Sequence, residues 1–180
     1  YGEELGEFIY PTDIARDGQG RQWVSEYGGN DRIQVFADDY TPLFVAAEDH
    51  DFRRPQSLLW SPEHDVMLLS EANGHQLHVL SSEGELIRSI GGPGHRPGQF
   101  SYPYGLALNP EGQVLVAEFG GCRIHEVSLD TESFRTWSAE ESKGLRYPWA
   151  VGCIDQRILV LDSGNHRILE VDSSEFQAAP

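Results

Sequence analysis

The stretch Tyr102-Pro103-Tyr104-Gly105-Leu106-Ala107-Leu108-Asn109-Pro110-Glu111-Gly112-Gln113-Val114-Leu115-Val116-Ala117-Glu118-Phe119-Gly120-Gly121-Cys122-Arg123-Ile124-His125-Glu126-Val127 decides the fold. It reads as a proline-marked entry, a short apolar segment (104–108), a turn, an unbroken apolar segment (114–117), a glycine-rich bend and a third segment (123–127). Segments this short, punctuated by Asn-Pro and Gly-Gly, are strands joined by hairpins. A strand that is apolar without alternation is expected to be covered on both faces. No helical period competes with this reading.

The pattern recurs. An aromatic or basic residue followed by proline appears as Tyr10-Pro11, Arg54-Pro55, Tyr102-Pro103 and Tyr147-Pro148, with the prolines 44, 48 and 45 residues apart. The first copy runs through 12–16, the turn Asp17-Gly18-Gln19-Gly20, 22–25, the bend Tyr27-Gly28-Gly29-Asn30, and 32–36. Other second strands, Val66-Met67-Leu68-Leu69 and Ile158-Leu159-Val160-Leu161, are again apolar throughout. A more polar fourth strand is expected at 85–90 and at 42–47, the outer edge of a blade. Repeats of this period whose central strands need cover on both sides point to sheets stacked around an axis. The fold class is therefore all-β, a β-propeller of four four-stranded blades at about 8–50, 52–92, 100–140 and 145–176, expected to form one unit over 1–180.

These residues resemble the NHL repeat family. Asp162-Ser163-Gly164-Asn165-His166-Arg167-Ile168 matches its Asp-x-Gly-Asn-His-Arg-Ile bend, and Gly29-Asn30-Asp31-Arg32-Ile33 most of it. Gly98-Gln99-Phe100-Ser101-Tyr102-Pro103-Tyr104-Gly105 matches its entry. The second copy departs furthest, with Gln76-Leu77 in place of Arg-Ile after Ala72-Asn73-Gly74-His75. The resemblance implies a ring of about six blades. Tyr1-Gly2 aligns with Ile90-Gly91, and little chain follows Val171-Asp172, so the four copies read as an incomplete or open arc cut at both ends. Closure into a tight ring, pairing of two arcs and completion by other blades all remain open, with self-association or completion favoured over early closure.

A formal charge of -16 repels phosphate backbones, and no basic cluster offsets it, so nucleic acid is not an expected partner. No apolar stretch reaches the ~20 residues of a membrane span, so insertion is not expected either. Cys122 and Cys153 are too few for a disulfide framework and are expected to stay separate thiols.

In a propeller, the entry loops and second-to-third-strand bends share one face. That face would carry Tyr10, Arg54, Tyr102 and Tyr147, their neighbours Asp13, Tyr104 and Trp149, and the bend residues Tyr27 and Phe119. Aromatics with an arginine among them are the usual anchors of a binding surface. The same rings would serve equally as packing beside their prolines, and Tyr104 and Trp149, which break the repeat pattern, are the stronger contact candidates.

Glu26, Glu71, Glu118 and Asp162 recur at the start of the bends and, if gathered, could hold a hard cation. Arg32, Arg123 and Arg167 follow three of them by five or six positions, so pairing within each blade is the favoured reading and no metal or cofactor is called for. The histidines, including the repeat-equivalent pairs His75 and His166, and His78 and His125, read as turn and surface residues.

The expected function is a non-enzymatic scaffold that binds a protein or small ligand through this aromatic and acidic face. The alternatives are a metal-assisted lyase or hydrolase and a self-associating propeller fragment. No Gly-x-Ser-x-Gly, His-Glu-x-x-His or phosphate loop accompanies the enzymatic reading.

Overall fold

A computed structural model describes residues 1–138 and 144–178. Its strands follow the repeat. The first blade is β1 (Tyr10–Arg16), β2 (Gln22–Tyr27), β3 (Arg32–Phe36) and β4 (Pro42–Ala46), hydrogen-bonded in that order. The second is β5 (Pro55–Ser61), β6 (Val66–Glu71), β7 (Gln76–Ser81) and β8 (Leu86–Gly91). The third is β9 (Pro103–Leu108), β10 (Val114–Glu118), β11 (Arg123–Val127) and β12 (Phe134–Trp137), and the fourth is β13 (Pro148–Ile154), β14 (Arg157–Asp162) and β15 (Arg167–Val171). The chain is all-β and built of four antiparallel propeller blades. It divides into two compact units, Tyr1–Ile90 and Gly91–Pro180, each holding two blades.

Among the described residues the last blade has three strands rather than the expected four. After β15, Asp172 caps a 3-10 turn (Ser173–Glu175), and the chain then adds β16 (Gln177–Ala178) to the outer edge of the third blade beside β12. Arg135 fixes this crossover: its guanidinium donates to the carbonyls of Ser173 and Phe176 at 3.0 and 2.9 Å while pairing with Glu126. Tyr1-Gly2, aligned above with the end of an outer strand, is not in a strand. The leading segment instead caps the first blade, because Arg32 gathers the carbonyls of Glu3, Glu4 and Glu7.

In the first unit Trp23, Ile33 and Val35 of one blade pack on Leu58, Met67, Leu69 and Leu80 of the next. In the second, Leu115, Ala117 and Ile124 pack on Val151, Ile158 and Val160. Every residue of β6 and β10 is buried, as the unbroken apolar runs require. Strand β14 is the exception: Leu161 is 41% exposed and its cross-strand partner Ile168 68%, so this strand is covered on one face only.

First strands of neighbouring blades approach closely. Asp13, expected at a ligand face, is instead a clasp: Oδ2 accepts from the Ser57 hydroxyl at 2.7 Å and the Leu58 amide at 2.9 Å. At Gly105 a Cβ would lie 2.7 Å from Ala150 Cα and 3.0 Å from the Trp149 carbonyl, so only glycine admits β13 at this distance.

The β1–β2 turn is held by a buried aspartate. Asp17 Oδ1 accepts the amides of Gln19 and Arg21, and Oδ2 accepts Trp23 Nε1 at 2.9 Å and Arg21 Nε at 2.6 Å. Asn109 repeats the device in the third blade, accepting the amides of Glu111 and Gln113. Asp17→Ala leaves the buried Trp23 indole N–H and the Arg21 Nε–H without their acceptor, and is expected to cost about 2–3 kcal/mol in urea denaturation.

Candidate functional site

In all four blades the entry proline lies opposite the bend carboxylate: Pro11 faces Glu26, Pro55 faces Glu71, Pro103 faces Glu118 and Pro148 faces Asp162. Just beyond that pair the register shifts, leaving Thr12, Gln56 and Trp149 as extra residues on the first strands of blades one, two and four. A bulge leaves its extra residue outside the ladder and re-aims the side chain. At Trp149 the outcome is an indole 44% exposed.

The residue before the proline adopts a left-handed conformation in three copies, with φ of 62° at Arg54, 54° at Tyr102 and 53° at Tyr147. Such backbone costs about 1–3 kcal/mol in a non-glycine residue. It is held because the freed carbonyls tie entry to bend: Arg54 accepts from the Ala72 amide at 3.1 Å, Tyr102 from the Phe119 amide at 2.9 Å, and Tyr147 from the Ser163 hydroxyl.

The expected aromatic residues form a group in each unit. In the first, Tyr10 stacks on Tyr27 at 6.0 Å and the Arg54 guanidinium carbon lies 5.2 Å from the Tyr27 centroid. In the second, Tyr104 stacks on Phe119 at 4.6 Å and Phe119 on Tyr147 at 5.0 Å, while Trp149 sets its edge against Tyr104 at 4.9 Å. Arg146 lies over the Tyr147 ring at 5.6 Å. Each pair adds roughly 0.5–1.5 kcal/mol beyond area burial, which fixes the rings relative to one another. Tyr104, expected as a contact, is only 3% exposed and acts as the floor, leaving Trp149 and Tyr147 to face outward. Tyr102 stands beside Gly120.

The four carboxylates are spent inside their own blades. Glu26 accepts Arg32 Nε at 2.7 Å and the Ile9 amide at 2.9 Å. Asp162 accepts Arg167 Nε and the Arg146 amide, both at 2.7 Å. Glu118 lies 3.1 Å from Arg123 Nε, and Arg123 goes on to the carbonyls of His95 and Gln99. Glu71, whose blade carries Gln76 instead of arginine, accepts the Arg53 amide and His78 Nε2. Burial alone would push the Glu71 and Asp162 carboxyls up. Hydrogen bonds from His78 and the Arg53 amide, and from the Arg146 amide, Asn165 and Arg167, outweigh it and hold both below their ordinary values.

His78 and His125, expected at the surface, are both fully buried. Their Nε2 atoms meet Glu71 and Glu118 at 3.0 and 2.8 Å, and their Nδ1 atoms meet Ser89 and Thr136 at 2.8 and 3.0 Å. The signal was their place two residues after Gln76 and Arg123, which in β7 and β11 points a side chain to the same side as the pairing residue. Among the described residues one histidine and carboxylate trio, His50, Glu71 and His78, has its ligand atoms within 4.8 Å of one another. Cys122 and Cys153 are free, and burial followed by the nearby Glu111 charge pushes the Cys153 thiol up, away from the reactive thiolate.

No family model matches the chain. A curated relative, the rat (Rattus norvegicus) peptidylglycine alpha-amidating monooxygenase, is 28% identical over 144 residues, which is 71% of this chain and 14% of that protein. Among solved structures, catalytically inactive virginiamycin B lyase from Staphylococcus aureus with quinupristin aligns at TM-score 0.74 and 19% identity, covering 94% of this chain and 55% of that one. A chain of the nidogen/laminin complex aligns at 0.74 and 18% (93% and 61%), and the WD40 β-propeller domain of Doa1 at 0.69 and 14% (92% and 52%). These likenesses establish the propeller fold. The chain spans about one seventh of the curated relative and just over half of those structures.

Two outcomes follow from the bends. A methyl group at Gly121 would overlap Glu118 Oε1, whereas Gly152 has nothing within 4 Å of its would-be Cβ. Gly121→Ala is expected to lower Tm by several degrees and Gly152→Ala to leave it nearly unchanged. Carboxyls held low in the folded state contribute stability that is complete above their unfolded values, about pH 4. Stability should therefore be level down to about pH 5 and fall as pH drops further, with a shallower fall in Asp162→Asn.

Proposed function

We propose that the chain is an NHL-type propeller module that binds a peptide or protein segment through the aromatic platform of its entry loops. The carrying observation is the layered stack of the second unit. The buried Tyr104 and the half-buried Phe119 fix an outward pair, Trp149 and Tyr147, each 44% exposed. Rigid, amphipathic rings of this kind bind at small entropic cost and dominate interface energetics. The Arg54, Tyr27 and Tyr10 group offers the first unit a similar anchor. With a formal charge of -16, a basic segment is favoured electrostatically, chiefly in its association rate.

Likeness to a peptidylglycine-processing protein supports a peptide as the ligand, and also supports a second reading as an enzyme acting on peptide termini. A fluorescence-anisotropy panel of labelled basic, acidic and glycine-extended peptides, with mass spectrometry of the recovered peptide, separates the readings. Binding of the basic peptides is expected, weaker by tenfold or more in Trp149→Ala, a change of about 1.4 kcal/mol, with circular dichroism unchanged. No binding, or equal binding by Trp149→Ala and Arg54→Ala, contradicts the platform. A chemically altered peptide moves the assignment to the enzyme.

A further inference from the structure

We infer that His50, Glu71 and His78 form a binding site for one divalent transition-metal ion, with zinc the best match. The inference is independent of the peptide platform. Its basis is an internal comparison between blades. In blades one, three and four a permanent cation, Arg32, Arg123 or Arg167, occupies the buried bend carboxylate. In blade two that position is Gln76, and Glu71 has two imidazoles near it instead. Blade three shows what the ordinary arrangement looks like when a histidine is present. His125 meets Glu118 just as His78 meets Glu71, but the arginine remains, and the counterpart of His50, two residues before Phe100 rather than Phe52, is Gly98. Two changes thus coincide in one blade: the cation is removed and a third donor is added.

The donors suit zinc chemically. Two histidines and a carboxylate, with a fourth position left open, is a common tetrahedral zinc set, in which ligand atoms lie roughly 3.4 Å apart. Here all three lie within 4.8 Å, with Glu71 Oε2 and His78 Nε2 at 3.0 Å, so closure needs only side-chain rotation. Two of the three donors, Glu71 and His78, are oriented from behind, as metal ligands are. The Arg53 amide holds the other Glu71 oxygen. Ser89 Oγ, 2.8 Å from His78 Nδ1, can accept the proton that this ring must carry there once Nε2 ligates. His50 sits on a turn pinned by the His50 amide to the Ala47 carbonyl and the Ala47 amide to the Gly84 carbonyl, at 2.9 and 2.7 Å. Phe52 sets its ring edge to face against both imidazoles, at 4.6 and 5.3 Å, and shields them.

One of the three donors, His50, borders open space. His50 is half-buried on the wall of an open hollow of about 470 Å³ whose rim carries Glu48, Asp49, Glu83 and Glu85. Four carboxylates at a mouth concentrate cations and balance the charge that the ion brings beyond that of Glu71.

The test uses the full chain, stripped with chelator and dialysed against micromolar zinc, with metal counted by mass spectrometry and cobalt substitution read by visible absorption. One equivalent of zinc and a tetrahedral cobalt spectrum are expected. His50→Ala removes a donor from a surface turn, and Gln76→Arg restores the cation found in the other blades. Each is expected to weaken zinc binding at least tenfold with circular dichroism unchanged, while His166→Ala, at an exposed bend, binds as the parent does. No zinc uptake by the parent chain overturns the inference. So does undiminished uptake by folded His50→Ala and Gln76→Arg.

Discussion

At the end of the second strand of every blade lies a buried carboxylate, and the rest of each blade is arranged to make that burial tolerable. An unpaired buried carboxylate costs several kcal/mol even after relaxation. Glu26, Glu118 and Asp162 meet a guanidinium from the third strand, and Glu71 meets a buried imidazole. Glu26, Glu71 and Asp162 also accept a backbone amide from the loop entering the blade. One side chain thus joins three segments that are distant in sequence, and it sets where the entry loop and its aromatic residue sit. The glycines of the bends follow from the same constraint, since a Cβ at Gly74 or Gly121 would occupy the space of the carboxylate itself.

Much of the fold was legible because the repeat writes it in local chemistry. Prolines, Asn-Pro and Asp-Gly turns and unbroken apolar runs mark strands without any knowledge of neighbours, and β6 and β10 are buried as their composition demands. What the sequence did not show depends on partners far along the chain. Strand β16 joins the third blade because Arg135 recruits the carbonyls of Ser173 and Phe176, which no local pattern announces. Strand β14 is as apolar as β6, yet Leu161 is exposed; composition records what a strand can bury, not what arrives to cover it. His78 and His125 read as surface residues because the repeat puts them on separate blades, in third strands away from the axis, but a buried carboxylate beside each makes burial favourable.

The candidate site was legible as a set of residues and not as an arrangement. Tyr104 and Trp149 both depart from the repeat, but a bulge turns Trp149 outward while Tyr104 becomes the floor beneath it. Asp13 reads as a ligand-facing acid and is instead consumed holding β5. A propeller fold by itself hosts many activities, so the functional assignment rests on the platform and on the donor trio of the second blade, not on the architecture.

If pairing of the bend carboxylates holds entry loop and bend together, a double-mutant cycle on Glu118 and Arg123 reads that pairing out. Glu118→Gln, Arg123→Gln and the double variant would be compared by urea denaturation at neutral pH. A coupling energy of about 1.5–3 kcal/mol is expected, the range for a charged hydrogen bond whose partners touch. A coupling within about 0.3 kcal/mol of zero, as found for independent sites, would contradict it.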